Sequence, residues 1–428
     1  MSSSQTSYRY SEVPDRSYKL LLVSTHAVQY ASPVFRLMAQ HPRLQIQVAY
    51  CSLQGAEGGV DPEFGRQVKW DVPLLDGYPW KEVPNRSLRP GFGRFLGLLN
   101  TGLWGMVRKG RYDAVVLYTG YRFGSFWIAL AAAKLSGTKV IFGTDATTIQ
   151  LRDGARWKLW LKPRILSHIY RLADGAYSAS LAGKEYLKSL GLPDNKIGIV
   201  PLVVDNDWWL TRAREADRAA TRAQWGVPES APVVLCAAKL QPWKRPQDVL
   251  RAFNLAAVPG SHLVFAGDGP LSASLEKEAA QLGVSDRMHF LGFQNQSAMP
   301  GNYCAADMFV LASEYDACPA AVCEAMLCGV PVAISDEIRG RRELIDVGET
   351  GYIFKCGDVD ALADILRKSL ADLSRLVVMG AAARRKMDTC SPRTNVEDFI
   401  RLLDATFGVE RHPGRAAESK EAASKGAA

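Results

Sequence analysis

No stretch of this 428-residue chain runs eighteen apolar residues without interruption, so the sequence offers no helix able to cross a bilayer. The longest candidate, 123–135, is broken by Gly124, Ser125 and Lys134 and reads as a buried helix. The first residues are Ser-rich and polar, with charges at Arg9, Glu12, Asp15 and Arg16. They lack the apolar core of a secretory signal, and a cytoplasmic protein is expected. The eight cysteines form no CxxC pair. Cys318, Cys323 and Cys328 recur every five residues with no histidine near them, a spacing that fits no tetrahedral metal site. Buried free thiols are the simpler reading. The chain also lacks H-E-x-x-H, G-x-S-x-G and a Walker A loop, and no G-x-G-x-x-G follows the first strand of either half. Zinc proteolysis, serine-elbow hydrolysis, P-loop chemistry and nicotinamide chemistry therefore find no support.

What is present is a repeated α/β pattern. In the first half, short apolar runs stand at 19–23, 45–49, 114–117, 140–142 and 197–200. In the second they stand at 233–237, 263–266, 288–291, 308–311, 332–334 and 352–354. Runs this short and apolar look like strands covered on both faces. Their alternation with helical stretches implies parallel sheets. Two sets in a chain of this length imply two Rossmann-like, doubly wound domains. The expected division is a flexible N-terminus at 1–17, one domain at 18–210 and a second at 211–390. A charged helix over 211–224 would open the second. Ser391-Pro392 reads as the cap and first turn of a helix over 391–408, followed by a disordered tail at 409–428.

The segment 311–336 carries the most chemistry. Asp316 and Glu324 flank a turn with Pro319, and a helix should start near Ala320. N–H groups around Cys318, Ala320 and Ala321 would leave that helix start toward a phosphate. A second segment, Ala238-Lys239-Leu240-Gln241-Pro242-Trp243-Lys244, leaves the carboxyl end of a strand, where such sheets bind ligands. Its two cations suit a diphosphate. A third, Phe265-Ala266-Gly267-Asp268-Gly269-Pro270 with Leu291-Gly292-Phe293 beyond it, brings glycines to strand ends.

Together these strings resemble the large retaining glycosyltransferase family four. That family shows S-x-x-E, a short turn, a second Glu and E-A-M-x-x-G-x-P-V; here stand Ser313, Asp316, Pro319, Glu324-Ala325-Met326, Gly329 and Pro331-Val332. The resemblance implies two domains facing a cleft, the GT-B fold, with the last helix crossing back to the first domain. It implies transfer of a sugar from a nucleotide-sugar, with retention at the anomeric carbon. By resemblance, Glu324 holds the ribose and Asp316, in place of the usual Glu, touches the donor sugar. Lys239 and Lys244 meet the pyrophosphate, and Gly267, Cys318, Pro319 and Ala320 border the donor. Gly292 and Phe293 stand near the base, where Phe293 could equally be core. A UDP-sugar is the expected donor. No cofactor is expected, and the diphosphate charge is met without a metal.

The first half matches less well. Ser24 to Tyr30 replaces a Gly-rich loop, so His26 is a tentative site residue. Asp145 stands where many members have a His beside the donor sugar. Asp205 closes a Pro-x-x-x-Asp string, with a loop or cap role as the alternative, and Glu343 could cap a helix or serve a family loop. A non-catalytic nucleotide-sugar-binding or glycan-binding subunit and a nucleotide-sugar epimerase remain as other readings of the whole.

The charge is uneven. Residues 81–164 hold fifteen Lys and Arg against four acids, with Trp104, Trp127, Trp157 and Trp160 among them. One reading is a solvated face with Trp in the core. The other is contact with anionic membrane at the inner face of the cell membrane, presenting a lipid-linked acceptor for envelope polysaccharide or glycolipid synthesis. No nucleic-acid partner is expected.

Overall fold

The computed structural model describes residues 16–61, 66–148, 157–316 and 319–409. The expected tails and Cys318 lie outside the described residues, apart from the inner ends of the tails.

Seven parallel strands form the first sheet, in the order Trp80–Glu82, Leu44–Tyr50, Tyr18–Ser24, Ala114–Tyr118, Lys139–Thr144, Gly175–Ser178, Ile197–Ile199. Six form the second, in the order Met288–Phe290, His262–Ala266, Val233–Ala237, Met308–Leu311, Val332–Ser335, Gly351–Phe354. Each sheet starts at a central strand and winds outward both ways. The strand order therefore reverses beside Tyr18–Ser24 in one domain and beside Val233–Ala237 in the other. A crevice opens at such a reversal, outside the carboxyl ends of the strands. Val233–Ala237 is buried at every residue, as the central strand of a sheet covered on both faces must be.

Two strands of these two sheets had no clear sequence signal. Gly175–Ser178 is a four-residue GAYS run, and Trp80–Glu82 is a fully exposed edge strand. The helix expected over 211–224 is in fact two helices, 206–215 and 218–225. Asp205 caps the first by accepting from the Trp208 N–H, and Asp217 caps the second by accepting from the Ala220 N–H. A carboxylate that satisfies a backbone donor starts a new helix here rather than continuing the old one.

Ser391 and Thr394 form a capping box at the start of the helix Pro392–Phe407. This helix packs on the first domain, against the helix Ser32–Gln40 and the strands Gly175–Ser178 and Ile197–Ile199. Its Asp404, only 3% exposed, accepts from the Tyr18 hydroxyl at 2.7 Å and from the Arg43 guanidinium. Asp205 also receives Arg36 at 3.2 Å, so its role is that of a cap and ion-pair partner where the chain passes between domains.

Candidate active site

Two cavities open at the two strand-order reversals. The smaller, of 210 Å³, is lined by Lys239, Gly267, Phe293 and Glu324 together with Trp70, Trp209, Gln296 and Tyr303. The larger, of 680 Å³, lies on the first domain and is lined by His26, Tyr118, Asp145, Tyr170 and Tyr177, with Lys239 reaching it from the second domain. Lys239 thus belongs to both.

Glu324 sits on the helix Ala320–Leu327, whose Ala-rich sequence favours the helical state. Its half-buried carboxylate accepts from the Tyr303 hydroxyl at 2.9 Å. Protein packs around it on every side but the cavity, and that burial pushes its carboxyl up to about 7, against the opposing pull of Tyr303. A carboxylate held this way is a strong acceptor for hydroxyls entering the cavity. At the helix start, the N–H groups of Val322 and Cys323 turn back to the Pro319 carbonyl. Those of Ala320 and Ala321 head the helix, where a positive dipole end favours an anion.

Lys244 and Asp316 meet at 2.6 Å, each less than one-fifth exposed. Two devices aim them at one another. Arg245 adopts a left-handed φ of 50°, rare for a residue with a side chain, and ion pairs with Asp248 and Glu314 hold it there. On the other side, the Asp316 carbonyl accepts the Arg339 N–H at 2.9 Å. The pair stands outside the 210 Å³ cavity lining, as do Pro319, Ala320 and Gly292. Gly267 is fixed by contact: a Cβ there would stand 1.9 Å from the Ala238 carbonyl oxygen. Its N–H donates to the Gly292 carbonyl at 2.8 Å, so the two glycine loops brace each other at the strand ends.

In the larger cavity, His26 packs its ring on Phe92 at 5.2 Å. Asp145 exposes its surface to the cavity, yet protein crowds it and pushes its carboxyl above the ordinary value. Glu343 does not cap its own helix, Arg341–Leu344; its side chain accepts the Leu181 N–H at 3.3 Å and so caps the start of the helix Leu181–Ser189 across the domains. Among the described residues no three His, Cys, Asp or Glu side chains gather as for a metal, and no helix is long and apolar enough to cross a membrane.

The four Trp of the basic block divide. Trp127 donates to the Tyr121 carbonyl at 2.8 Å and is partly buried, whereas Trp104 and Trp160 are exposed, Trp160 by 66%. The Trp157 side chain lies outside the described ones. Sequence reasoning missed Tyr303, Trp209, Gln296 and Trp70. None sits in a recognisable string, and only the folded chain brings them beside Glu324.

Comparison with known proteins bears on the family and the fold. A family model described as glycosyl transferases group 1 matches residues 217–386, and a glycosyl transferase 4-like domain model matches 31–202. Over 209 residues the chain is 32% identical to a D-inositol 3-phosphate glycosyltransferase of Nocardia farcinica, a match covering 47% of this chain and 45% of that protein. Over 262 residues it is 29% identical to a GDP-mannose-dependent alpha-(1-6)-phosphatidylinositol monomannoside mannosyltransferase of Mycobacterium tuberculosis, covering 57% of this chain and 66% of that one. The match thus spans from under half to about two thirds of these relatives' length. Among solved structures, Anabaena Alr3699/HepE in complex with UDP and glucose superposes with a TM-score of 0.68 at 18% identity, over 91% of this chain and all of that one. WaaG, a glycosyltransferase involved in lipopolysaccharide biosynthesis, gives 0.60 at 16% identity, over 88% of this chain and 98% of that one.

Proposed function

The chain belongs to the group 1 glycosyltransferases with the two-domain GT-B fold, and from that premise we propose that it moves a sugar from a nucleoside diphosphate to an acceptor with retention at the anomeric carbon. The observation that carries the reading is Glu324: a carboxylate backed by Tyr303, on a cavity that also holds Lys239, Gly267 and Phe293. A ribose would offer its two hydroxyls to Glu324. Lys239, Lys244 and the first N–H groups of the helix at Ala320 would meet the diphosphate as its charge grows on leaving, which is where such a site gains most. These cations serve the role a metal would otherwise take. Asp316, held by Lys244 at 2.6 Å, would face the donor sugar.

UDP-sugar is the donor class we favour, because 210 Å³ is small for a ligand cavity and suits a single-ring base. The donor named for the mycobacterial relative is GDP-mannose and the ligand named for the Anabaena neighbour is UDP, so both belong in the test. Lys239 lines both cavities. That supports an acceptor in the larger one, close to where the donor sugar would end. His26 and Asp145 would then contact the acceptor hydroxyls or the sugar. The acceptor we favour is lipid-linked. The exposed Leu88, Phe95, Leu96, Trp104 and Trp160, set among the basic residues of 81–164, support an interfacial contact with anionic headgroups, at about 1 kcal/mol for each basic residue near the surface.

The deciding experiment titrates UDP, GDP and their sugars into the wild type and Glu324→Gln by calorimetry. Loss of the glutamate charge should weaken binding about tenfold or more, as for a hydrogen bond to a charged group. Unchanged affinity for every nucleotide would remove the donor reading. Retention is checked by the anomeric configuration of the product.

A further inference from the structure

The 210 Å³ cavity is not made by the second domain alone. Trp70 and Gln29 reach it from the first domain. Trp70 packs beside Phe293 with ring centroids 6.4 Å apart and ring planes tilted by 52°. Its two neighbours are fastened to the second domain by polar contacts. The Lys69 carbonyl accepts from the Asn295 side chain at 2.9 Å. The Asp71 carboxylate accepts from the Ser297 N–H at 3.1 Å and from the Ser297 hydroxyl, while the Asp71 N–H points to the Asn295 side-chain oxygen at 3.4 Å. Residues 69–71 and 295–297 therefore clasp each other, and the middle residue of each, Trp70 and Gln296, lines the same cavity.

Gln296 carries a second clue. The residue is 8% exposed and its Oε1 has no hydrogen-bond partner among the described residues. Trp209, fully buried and on the same cavity, has an Nε1–H with no partner among the described residues. Buried polar atoms are paired as a rule, and leaving one unpaired costs about as much as a lost hydrogen bond. One unpaired acceptor and one unpaired donor beside two aromatic rings is the complement of a heterocyclic base. The rings would take the base's flat face, Gln296 Oε1 would accept a base N–H, and Trp209 Nε1–H would donate to a base oxygen or nitrogen.

We propose that Trp70, Gln296 and Trp209 recognise the nucleotide base, and that the 69–71 clasp makes base recognition depend on closure of the two domains. This rests on the nucleotide-donor reading above and adds to it the residues that choose the base. It also gives the first domain a share in donor binding. An open protein lacks the Trp70 wall, so it should hold the diphosphate but discriminate poorly among bases.

The test uses the full chain and calorimetry with UDP, GDP and inorganic pyrophosphate as probes. Trp70→Ala should weaken the preferred nucleoside diphosphate about tenfold or more, the scale of one lost base–aromatic stack, and leave pyrophosphate unchanged. Trp70→Phe should recover most of the loss. Gln296→Leu should narrow the ratio between UDP and GDP affinities. Asp71→Ala, which opens the clasp without touching the cavity lining, should reproduce the Trp70→Ala pattern. If Trp70→Ala and Gln296→Leu bind both nucleotides as the wild type does while Glu324→Gln does not, the donor site stands and this inference falls. If Trp70→Ala weakens pyrophosphate as much as nucleotide, Trp70 acts through the fold and the inference also falls. If Glu324→Gln changes nothing either, the donor reading itself has failed.

Discussion

Lys244→Met removes the cation that faces Asp316 at 2.6 Å. The two side chains are 19% and 14% exposed, so water only partly replaces the missing partner. Breaking a fully buried pair from one side costs about 3–5 kcal/mol, and an exposed pair is worth about 0–1 kcal/mol. Partial cover sets the expectation near 2 kcal/mol, or about 4–8 °C in Tm for a domain of this size. The cost comes from the Asp316 charge losing its Lys244 partner. The double variant Lys244→Met/Asp316→Asn removes that charge as well and should regain most of the lost stability, a coupling of about 1–2 kcal/mol in the thermodynamic cycle. Donor binding should not return with it, because the charge meant for the diphosphate is still missing. Thermal melts of the four proteins measure the first effect, and calorimetry with UDP and uridine measures the second. UDP should weaken about tenfold or more while uridine holds. Additive melts would show that the pair is not coupled, and equal weakening of UDP and uridine would mean that Lys244 acts through folding; either result refutes the reasoning.

Four further outcomes are expected. Because burial holds the Glu324 carboxyl up to about 7, the native state binds its proton more tightly than the unfolded chain; the associated stability is full below about pH 4.5 and is lost as pH rises through about 7. Glu324→Gln should therefore gain on the wild type in ligand-free melts between pH 5 and pH 8, by about 1 kcal/mol once solvent access from the cavity is allowed for, and a constant difference across that range would contradict it. Gly267→Ala must displace the Ala238 carbonyl, 1.9 Å from the new methyl, and should cost about 1–3 kcal/mol together with nucleotide affinity, both read from melts with and without UDP. Asp404→Ala takes the acceptor from the Tyr18 hydroxyl and the carboxylate from Arg43, which keeps the Arg16 carbonyl, and should destabilise by about 3 kcal/mol in denaturant unfolding. The protein should co-sediment with anionic vesicles at low salt and release at high salt; replacing Phe95, Leu96, Trp104 and Trp160 together should reduce binding without changing UDP affinity, and absence of low-salt binding would favour a soluble acceptor.

How far the sequence could be read depended on the range of the interaction involved. Strands such as Val233–Ala237 and Met308–Leu311 declare themselves because a parallel strand covered on both faces must be apolar throughout. Ser391-Pro392 declares a helix start because capping is settled within four residues. The string around Glu324 was legible for the same reason: its carboxylate, the turn at Pro319 and the Ala-rich helix are neighbours in the chain. Gly175–Ser178 was not, since its four residues become a strand only between Lys139–Thr144 and Ile197–Ile199. The split at Asp217 was missed because one side chain outweighed the helical pattern on either side of it. The site follows the same rule more sharply. Lys244 and Asp316 are 72 positions apart, Glu324 and Tyr303 21, and Asp71 and Ser297 226. Each of these pairs completes an element that local sequence had only half specified. Glu324 offers an acceptor, but Tyr303 supplies its backing. The Phe293 loop offers a ring, but Trp70 from the other domain supplies the opposite wall. Where the two domains cooperate, function lies in contacts that no window of either half contains, and those contacts are the ones the Trp70, Gln296 and Asp71 variants probe.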